Sequence, residues 1–562
     1  MAYAHSSPDR RDAARADSPG SSIRHASLMA AAIGLILMLS SGAAYSQTAA
    51  PTKLPGQYKR VHQNALRQII RGDAATAVEE LERLLERLPN DAESLYMLTV
   101  ANANLGQLEE AARCAKRALA AGLPASRFAG GTRTGLESLT DMQVMREIAE
   151  QFADQPVHGP MLGCLTGESV SVWVRTAGEA DVRVIASPKS DPQVQIRSET
   201  VRSQEATDFT AVVPLRGLTP NTSYLYWVRI NGGPELTADN ARRFHTLAAQ
   251  GQPGKFRIAF GGGAGFVPPN ERVWTTISKQ NPDALLLLGD NVYIDDPKSP
   301  EMQHYCYYRR QSRPEFRALV ATTPVFSIWD DHDFGTNDCS GGPEINDPAW
   351  KQPVYNVFCN NWVNPYYGGG QSHPGCYYDF YLADVHFLML DGRYYRNLKT
   401  GPDKPTTMLG PVQRTWLLDT IADSQGRFLV LCSPVPWVFE AKGDSRDTWN
   451  GFREERKLIF DCLAENDRAG VLLMSADRHR SDLWKIERAD RYPLYEFNSS
   501  RLTNQHVHKE MEKAVFSYNK TQSFGTVDFD TSLEDPAVTY RIWTIDGEEV
   551  NSVTLQLSQL GG

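Results

Sequence analysis

The chain has little long hydrophobic sequence. Among its 562 residues only Leu28–Leu39 approaches the roughly 20 apolar residues that a bilayer crossing needs, and it falls short. Cysteine is scarce as well: eight residues, no two at zinc-finger spacing, which excludes a structural zinc site. There is no excess of positive charge. With 58 basic and 67 acidic side chains the net charge is -9, which argues against a general nucleic-acid coat. The glycine run Gly261–Gly265 lacks the lysine of a phosphate-binding loop and the spacing of a dinucleotide fingerprint, so nucleotide binding is not expected there. Hydrophobic residues at 41% and charged residues at 22% exclude a disordered chain, and the length calls for three or more domains.

What is present divides the chain into four parts. Arg10, Arg11, Arg15 and Arg24 precede Leu28–Leu39, and Ala44-Tyr45-Ser46 offers small residues for cleavage before Gln47. Residues 1–46 therefore read as a signal peptide, with export to the periplasm or outside the cell and no membrane span after its removal; an uncleaved anchor is the alternative. Residues 57–124 are helical and repetitive. Gly72 and Gly106, Ala77 and Ala111, and Ala65 and Thr99 each lie 34 residues apart, and Leu88-Pro89 recurs as Leu123-Pro124. That period resembles a pair of tetratricopeptide repeats, in which small residues let paired helices approach closely. Such a pair serves as a docking platform for a protein or peptide, or as a helical spacer. It is too short to stand alone, so it is expected to pack on a neighbour.

Residues 157–247 alternate with period two, most clearly at Val170, Val172 and Val174, and predict a small β-sandwich of immunoglobulin or fibronectin type. From 255 to 560 strands and helices alternate, which predicts an α/β core. Its apolar runs end on polar groups. Leu285–Leu288 ends at Gly289-Asp290, with Tyr293 beyond. Val325–Trp329 ends at Asp330-Asp331-His332-Asp333, followed by Asn337. Val385–Leu390 ends at Asp391-Gly392-Arg393, and Val471–Met474 at Ser475-Ala476-Asp477-Arg478-His479. Parallel strands bring such ends to one edge, where open α/β sheets bind ligands. Carboxylates gathered there repel one another unless cations neutralise them. The constellation predicts a metal site, with Asp290 as a candidate bridge between two ions. Cys306, Cys339, Cys359 and Cys376 cluster in a loop-rich stretch and admit three disulfide pairings, none preferred by the sequence.

Gly-Asp-Asn-Val-Tyr at 289–293, Trp-Asp-Asp-His-Asp at 329–333 with Asn337, Leu-Asp-Gly-Arg at 390–393 and Ser-Ala-Asp-Arg-His-Arg at 475–480 resemble the alkaline phosphatase D family of calcineurin-like metallophosphoesterases. The resemblance runs in order from about His158 to Leu557. It implies an α/β/β/α sandwich preceded by the β-sandwich, and a phosphatase with a mixed Fe(III) and Ca(II) centre. It implies Asp290, Tyr293, Asn337, Asp477 and His479 as metal ligands, and Arg393 beside the phosphate. Asp330 joins the ligand set from its place at a strand end. One departure concerns the metal itself: Gly263 stands where the family has an iron-binding cysteine.

The expected reaction is hydrolysis of phosphate monoesters by a metal-activated water, with cations and Arg393 spreading charge on the phosphoryl oxygens. His332 acts either as general acid or as a group that orients a ligand. Phosphodiesterase or phospholipase-type activity on the same centre is the first alternative. A non-catalytic protein that binds through its repeats is the second.

Overall fold

The N-terminal helices follow directly from local chemistry. In the computed structural model, which describes Leu54 and residues 58–130, 133–233, 236–399 and 406–562, four helices run α1 (Tyr58–Ile70), α2 (Ala74–Arg87), α3 (Ala92–Asn104) and α4 (Leu108–Ala120). The leader at 1–46 lies outside the described residues. Asp73 caps α2 by accepting from the Thr76 amide, and Asp91 caps α3 by accepting from the Ser94 amide. Gly72 and Gly106 follow α1 and α3 at φ of 84° and 72°, a left-handed turn that suits glycine. Ala77 and Ala111, at equivalent places, are completely buried where helices meet. α3 is buried on all sides: Leu95, Tyr96, Met97, Leu98 and Val100 are buried, and so are Glu93, Ser94, Thr99 and Asn102. Its Glu93 is tied to the Pro300–Gln311 helix, whose Tyr305 hydroxyl donates to Glu93 Oε1 at 2.6 Å, with Arg127 on the same oxygen at 2.7 Å.

The sandwich pairs His158–Gly163, Ser169–Arg175 and Thr210–Arg216 in one sheet. Ala180–Pro188, Ser223–Ile230 and Arg242–His245 form the other, with two short strands beside them. Val170, Val172 and Val174 face its core. Trp173, on the opposite face, is buried too, because its indole N–H donates to Asn360 O at 2.9 Å in the following region.

Two large sheets then stack. The six-stranded sheet runs Val325–Ile328, Ala284–Leu288, Lys255–Gly261, Ser523–Asp530, Ala537–Thr544 and Glu549–Gln556. Its first three strands are parallel and the rest antiparallel. The seven-stranded sheet holds Val385–Met389, Phe428–Cys432, Val471–Ser475 and Arg491–Ser499 as parallel neighbours. Aromatic side chains join the sheets: Phe326 stacks on Phe380 at 3.7 Å, and Phe529 meets Phe387 and Phe428, each at 5.8 Å. Helices Gly410–Asp423 and Arg453–Glu465 cover the outer face of the seven-stranded sheet, packing Leu417, Ile421, Ile459 and Leu463 against Leu429, Leu431 and Leu473. Every residue of Ala284–Leu288 is buried, as a strand covered on both faces requires. Residues 54–562 form one compact unit, so the helices and the sandwich are built onto the α/β core. Among the described residues no helix is long and apolar enough to cross a membrane.

Candidate metal centre and catalytic cavity

The carboxyl ends of the parallel strands open into a cavity of about 670 Å³. Asp290 and Tyr293 enter it after Ala284–Leu288, Asp331, His332 and Asn337 after Val325–Ile328, and Asp477 and His479 after Val471–Ser475. Asn504, His506 and His508 follow Arg491–Ser499. The backbone turns sharply to deliver them. Asp290, Tyr293, Asp295, Asp338, Asp477, His479 and Arg501 all have positive φ, between 47° and 78°. Such conformations are costly for L-residues and concentrate where geometry serves a site.

Asp290 is buried and receives the Tyr293 hydroxyl at Oδ2, 2.8 Å away; Asn504 Nδ2 in turn donates to that hydroxyl at 2.7 Å. His332 stacks on the Tyr293 ring at 4.5 Å, and its Nδ1 meets Asp295 Oδ1 at 2.5 Å. Donor atoms of Asp290, Asp331 and His332 all lie within 4.8 Å of one another. Asp290 Oδ1 and His479 Nδ1 are buried with no hydrogen-bond partner among the described residues. An unsatisfied buried carboxylate oxygen is expensive in a protein interior. Hard oxygen donors with imidazole are what a multivalent cation takes, so these residues fit a metal centre.

The charges agree. Burial drives the Asp290 carboxyl well up, reinforced by Asp331, Asp330 and Asp333, while His332 opposes the shift. Burial also works against ionised Asp477, but Lys442 and Arg478 outweigh it and hold the carboxyl at about 2. Burial pushes the His479 imidazole well down, keeping it neutral as a ligand must be. His332 goes the other way: burial disfavours its charge, but Asp290 and Asp295 raise it to about 10. Lys59 of α1 also enters the cavity, and burial lowers its ammonium to about 8 against the pull of Asp295 and Asp290.

Two expected site residues lie elsewhere. Asp330 does not line the cavity, although its Oδ2 is buried without a hydrogen-bond partner among the described residues; its neighbour Asp331 does line it. Asp330 Oδ1 instead pairs with Arg393 Nε at 2.5 Å. The family resemblance implies Arg393 beside phosphate, but the structure buries its side chain completely, with Nη1 on Asp447 Oδ1 at 2.7 Å and on Cys339 O at 3.2 Å. The reason is electrostatic: three buried acceptors around one guanidinium hold it more firmly than an open cavity does. All eight cysteines are free thiols, so none of the three admitted pairings occurs. Gly263 has φ of 71°, and a Cβ there would stand 3.0 Å from Arg501 N and 3.2 Å from His479 Nδ1, so this backbone favours glycine.

Several site residues escaped the strand-end pattern. Lys59 sits on a helix far away in sequence. His506 and His508 lie in a loop, although the His506-Val507-His508 spacing beyond an apolar strand is a signal that was available; Asp295, just behind Tyr293, belongs to the strand-end stretch itself. His506 Nε2 and His508 Nε2 are 2.8 Å apart, beside the His479 ring.

Two stacked sheets with acids and imidazoles converging at their parallel strand ends define a metallophosphoesterase-like fold. Residues 258–532 match the family model described as PhoD-like phosphatase, and residues 154–246 match one described as a domain of unknown function (DUF7800). A solved structure of PhoD is 18% identical, covers 70% of this chain and 91% of its own, and has a TM-score of 0.55. Purple acid phosphatase from yellow lupin (Lupinus luteus) seeds is 12% identical, with 71% and 75% covered and a TM-score of 0.51. Comparison with curated proteins gave no match. The α/β region carrying the cavity thus bears the PhoD-like phosphatase match, and that match supports a phosphoric ester hydrolase.

Proposed function

We propose that this chain is an exported, metal-dependent phosphatase that hydrolyses phosphate monoesters in the cavity at the strand ends. The observation that carries the reading is the convergence on one cavity of Asp290, Asn337, Asp477 and His479, with Asp290 Oδ1 and His479 Nδ1 lacking a hydrogen-bond partner among the described residues. Asp290, Tyr293, Asn337, Asp477 and His479 would hold the ions, with Asp331 close enough to contribute. Fe(III) with Ca(II) is the proposed pair. The hard oxygen donors suit both, and the phenol of Tyr293 suits the ferric ion. Bound cations supply a nucleophile at neutral pH and charge stabilisation for the phosphoryl group.

The chain's own groups do the rest. Tyr293 and Asn504 orient Asp290. Asp295 holds His332 by Nδ1, which leaves Nε2 to carry a proton to the leaving oxygen. Lys442 and Arg478 keep Asp477 ionised. The leader supports export. The four helices support a tetratricopeptide-like pair whose close packing on the α/β core suits a cavity wall better than a separate docking platform.

The test combines metal analysis of the purified chain with hydrolysis of nitrophenyl phosphate and bis-nitrophenyl phosphate, before and after chelation. The monoester is the better substrate, chelation abolishes turnover, and Asp477→Asn loses metal and at least about 100-fold of activity. A metal-free wild type, inert across several cations, removes the reading.

A further inference from the structure

α1 is not a neighbour of the cavity but part of its wall. Tyr58, Lys59 and Arg60, in its first turn, line the same space as Asp290 and Asp477. Three contacts fix the helix there. Gln63 Nε2 donates to Tyr293 O at 2.9 Å, Arg67 Nε pairs with Asp296 Oδ2 at 3.2 Å, and the Tyr58 ring stacks on Phe266 at 6.1 Å. The Tyr58 hydroxyl donates to Asp91 Oδ1 at 2.5 Å, which ties the helix back to α3. These contacts place the Lys59 ammonium 3.2 Å from the centroid of the Tyr293 ring, the ring that also orients Asp290.

The other cations of the cavity are occupied. Lys442 bonds Asp447 at 2.8 Å and Asp338 at 3.2 Å, and Arg478 bonds Asp477 at 3.2 Å and also His508. Among the described residues, neither Lys59 nor Arg60 has a carboxylate within ion-pairing distance. A half-buried ammonium held over an aromatic face, beside a cluster of metal-binding donors, is placed to receive an incoming anion.

We propose that Lys59, with Arg60 at the mouth, binds the phosphate oxyanion of the ester substrate, so that the helical region supplies the phosphate-recognising cation and Arg393 does not. The proposal rests on the phosphate-ester reading above. It makes the N-terminal helices part of the substrate site.

The experiment compares full-length wild type, Lys59→Met and Lys59→Arg, all loaded with metal. A charged hydrogen bond of this kind is worth about 10- to 100-fold in affinity. Lys59→Met therefore raises KM for nitrophenyl phosphate and weakens inorganic phosphate, followed by calorimetry, by that factor, with kcat nearly unchanged. Lys59→Arg recovers most of the loss. Labelling of wild-type Lys59 by acetic anhydride, read by mass spectrometry, slows when inorganic phosphate saturates the protein; this arm needs no variant to fold. Phosphate affinity and KM that are the same in Lys59→Met, or labelling indifferent to phosphate, overturn the proposal. The two readings separate cleanly. Wild type that binds phosphate through Lys59 without hydrolysing esters refutes only the enzymatic reading. Wild type that hydrolyses esters while Lys59→Met binds phosphate equally well refutes only the proposal.

Discussion

Arg393→Gln separates a buried counterion from a substrate-binding arginine. In the structure the guanidinium bonds Asp330 at 2.5 Å, Asp447 at 2.7 Å and the Cys339 carbonyl at 3.2 Å. Asp330 is 1% exposed and Asp447 6% exposed, so water cannot replace the lost partner. Arg396 and Lys442 remain on Asp447, which concentrates the damage at Asp330. Breaking a buried pair by removing one member costs about 3–5 kcal/mol. With an unfolding entropy of roughly 2.1 cal/mol/K per residue over about 500 residues, that corresponds to a fall of about 3–5 °C in the melting temperature. Thermal denaturation followed by circular dichroism measures it. Asp330→Asn in the same chain relieves part of the loss, because the carboxylate left unpaired is then neutral. KM for nitrophenyl phosphate should stay near the wild-type value. A variant that melts with the wild type yet raises KM tenfold returns Arg393 to the phosphate and defeats the reasoning.

Two further predictions concern groups outside the catalytic step. Burial disfavours ionised Asp91, but His62, Ser94 and Tyr58 outweigh it and lower its carboxyl from 3.8 to about 2. A depressed carboxyl stabilises the fold above its unfolded value near 4 and loses that contribution as pH falls through about 2, a difference of roughly 2 kcal/mol. The destabilisation caused by Asp91→Asn should therefore be full at pH 6 and shrink toward zero near pH 2; a gap independent of pH contradicts the role given to this cap. Gly263→Ala places a side chain at φ of 71° beside Arg501 and His479 and should cost about 1–2 kcal/mol in denaturant titration. A neutral or stabilising result shows that the turn does not require glycine.

Much of the fold is legible because short apolar runs are cut by glycine and aspartate at their ends. Leu285–Leu288 before Gly289-Asp290 and Val471–Met474 before Ser475-Ala476-Asp477 have no other economical reading than buried strands reaching a polar edge. The helical hairpins are equally plain from the spacing of Gly72 and Gly106. The choice between Asp330 and Asp331 is not legible. The two acids are adjacent, and the N-cap turn of Asp331–Phe334 sends the first toward Arg393 and the second toward the cavity. Arg393 shows the same difficulty, since a strand-end arginine has one sequence whether it faces a substrate or a buried carboxylate. Lys59 carries no local signal. Gln63, one turn along the same helix, is bonded to a backbone carbonyl 230 residues away.

The sequence by itself determined an α/β core, the helical region before it, and the acids and imidazoles at the strand ends. Those follow from periodicity and turn chemistry, which act between near neighbours in the chain. Only the tertiary structure decided which charges neutralise one another, that the cysteines stay unpaired, and that a lysine from the first helix stands over Tyr293. Coulomb attraction and desolvation depend on distances in space, and those distances are set by parts of the chain that no local pattern connects.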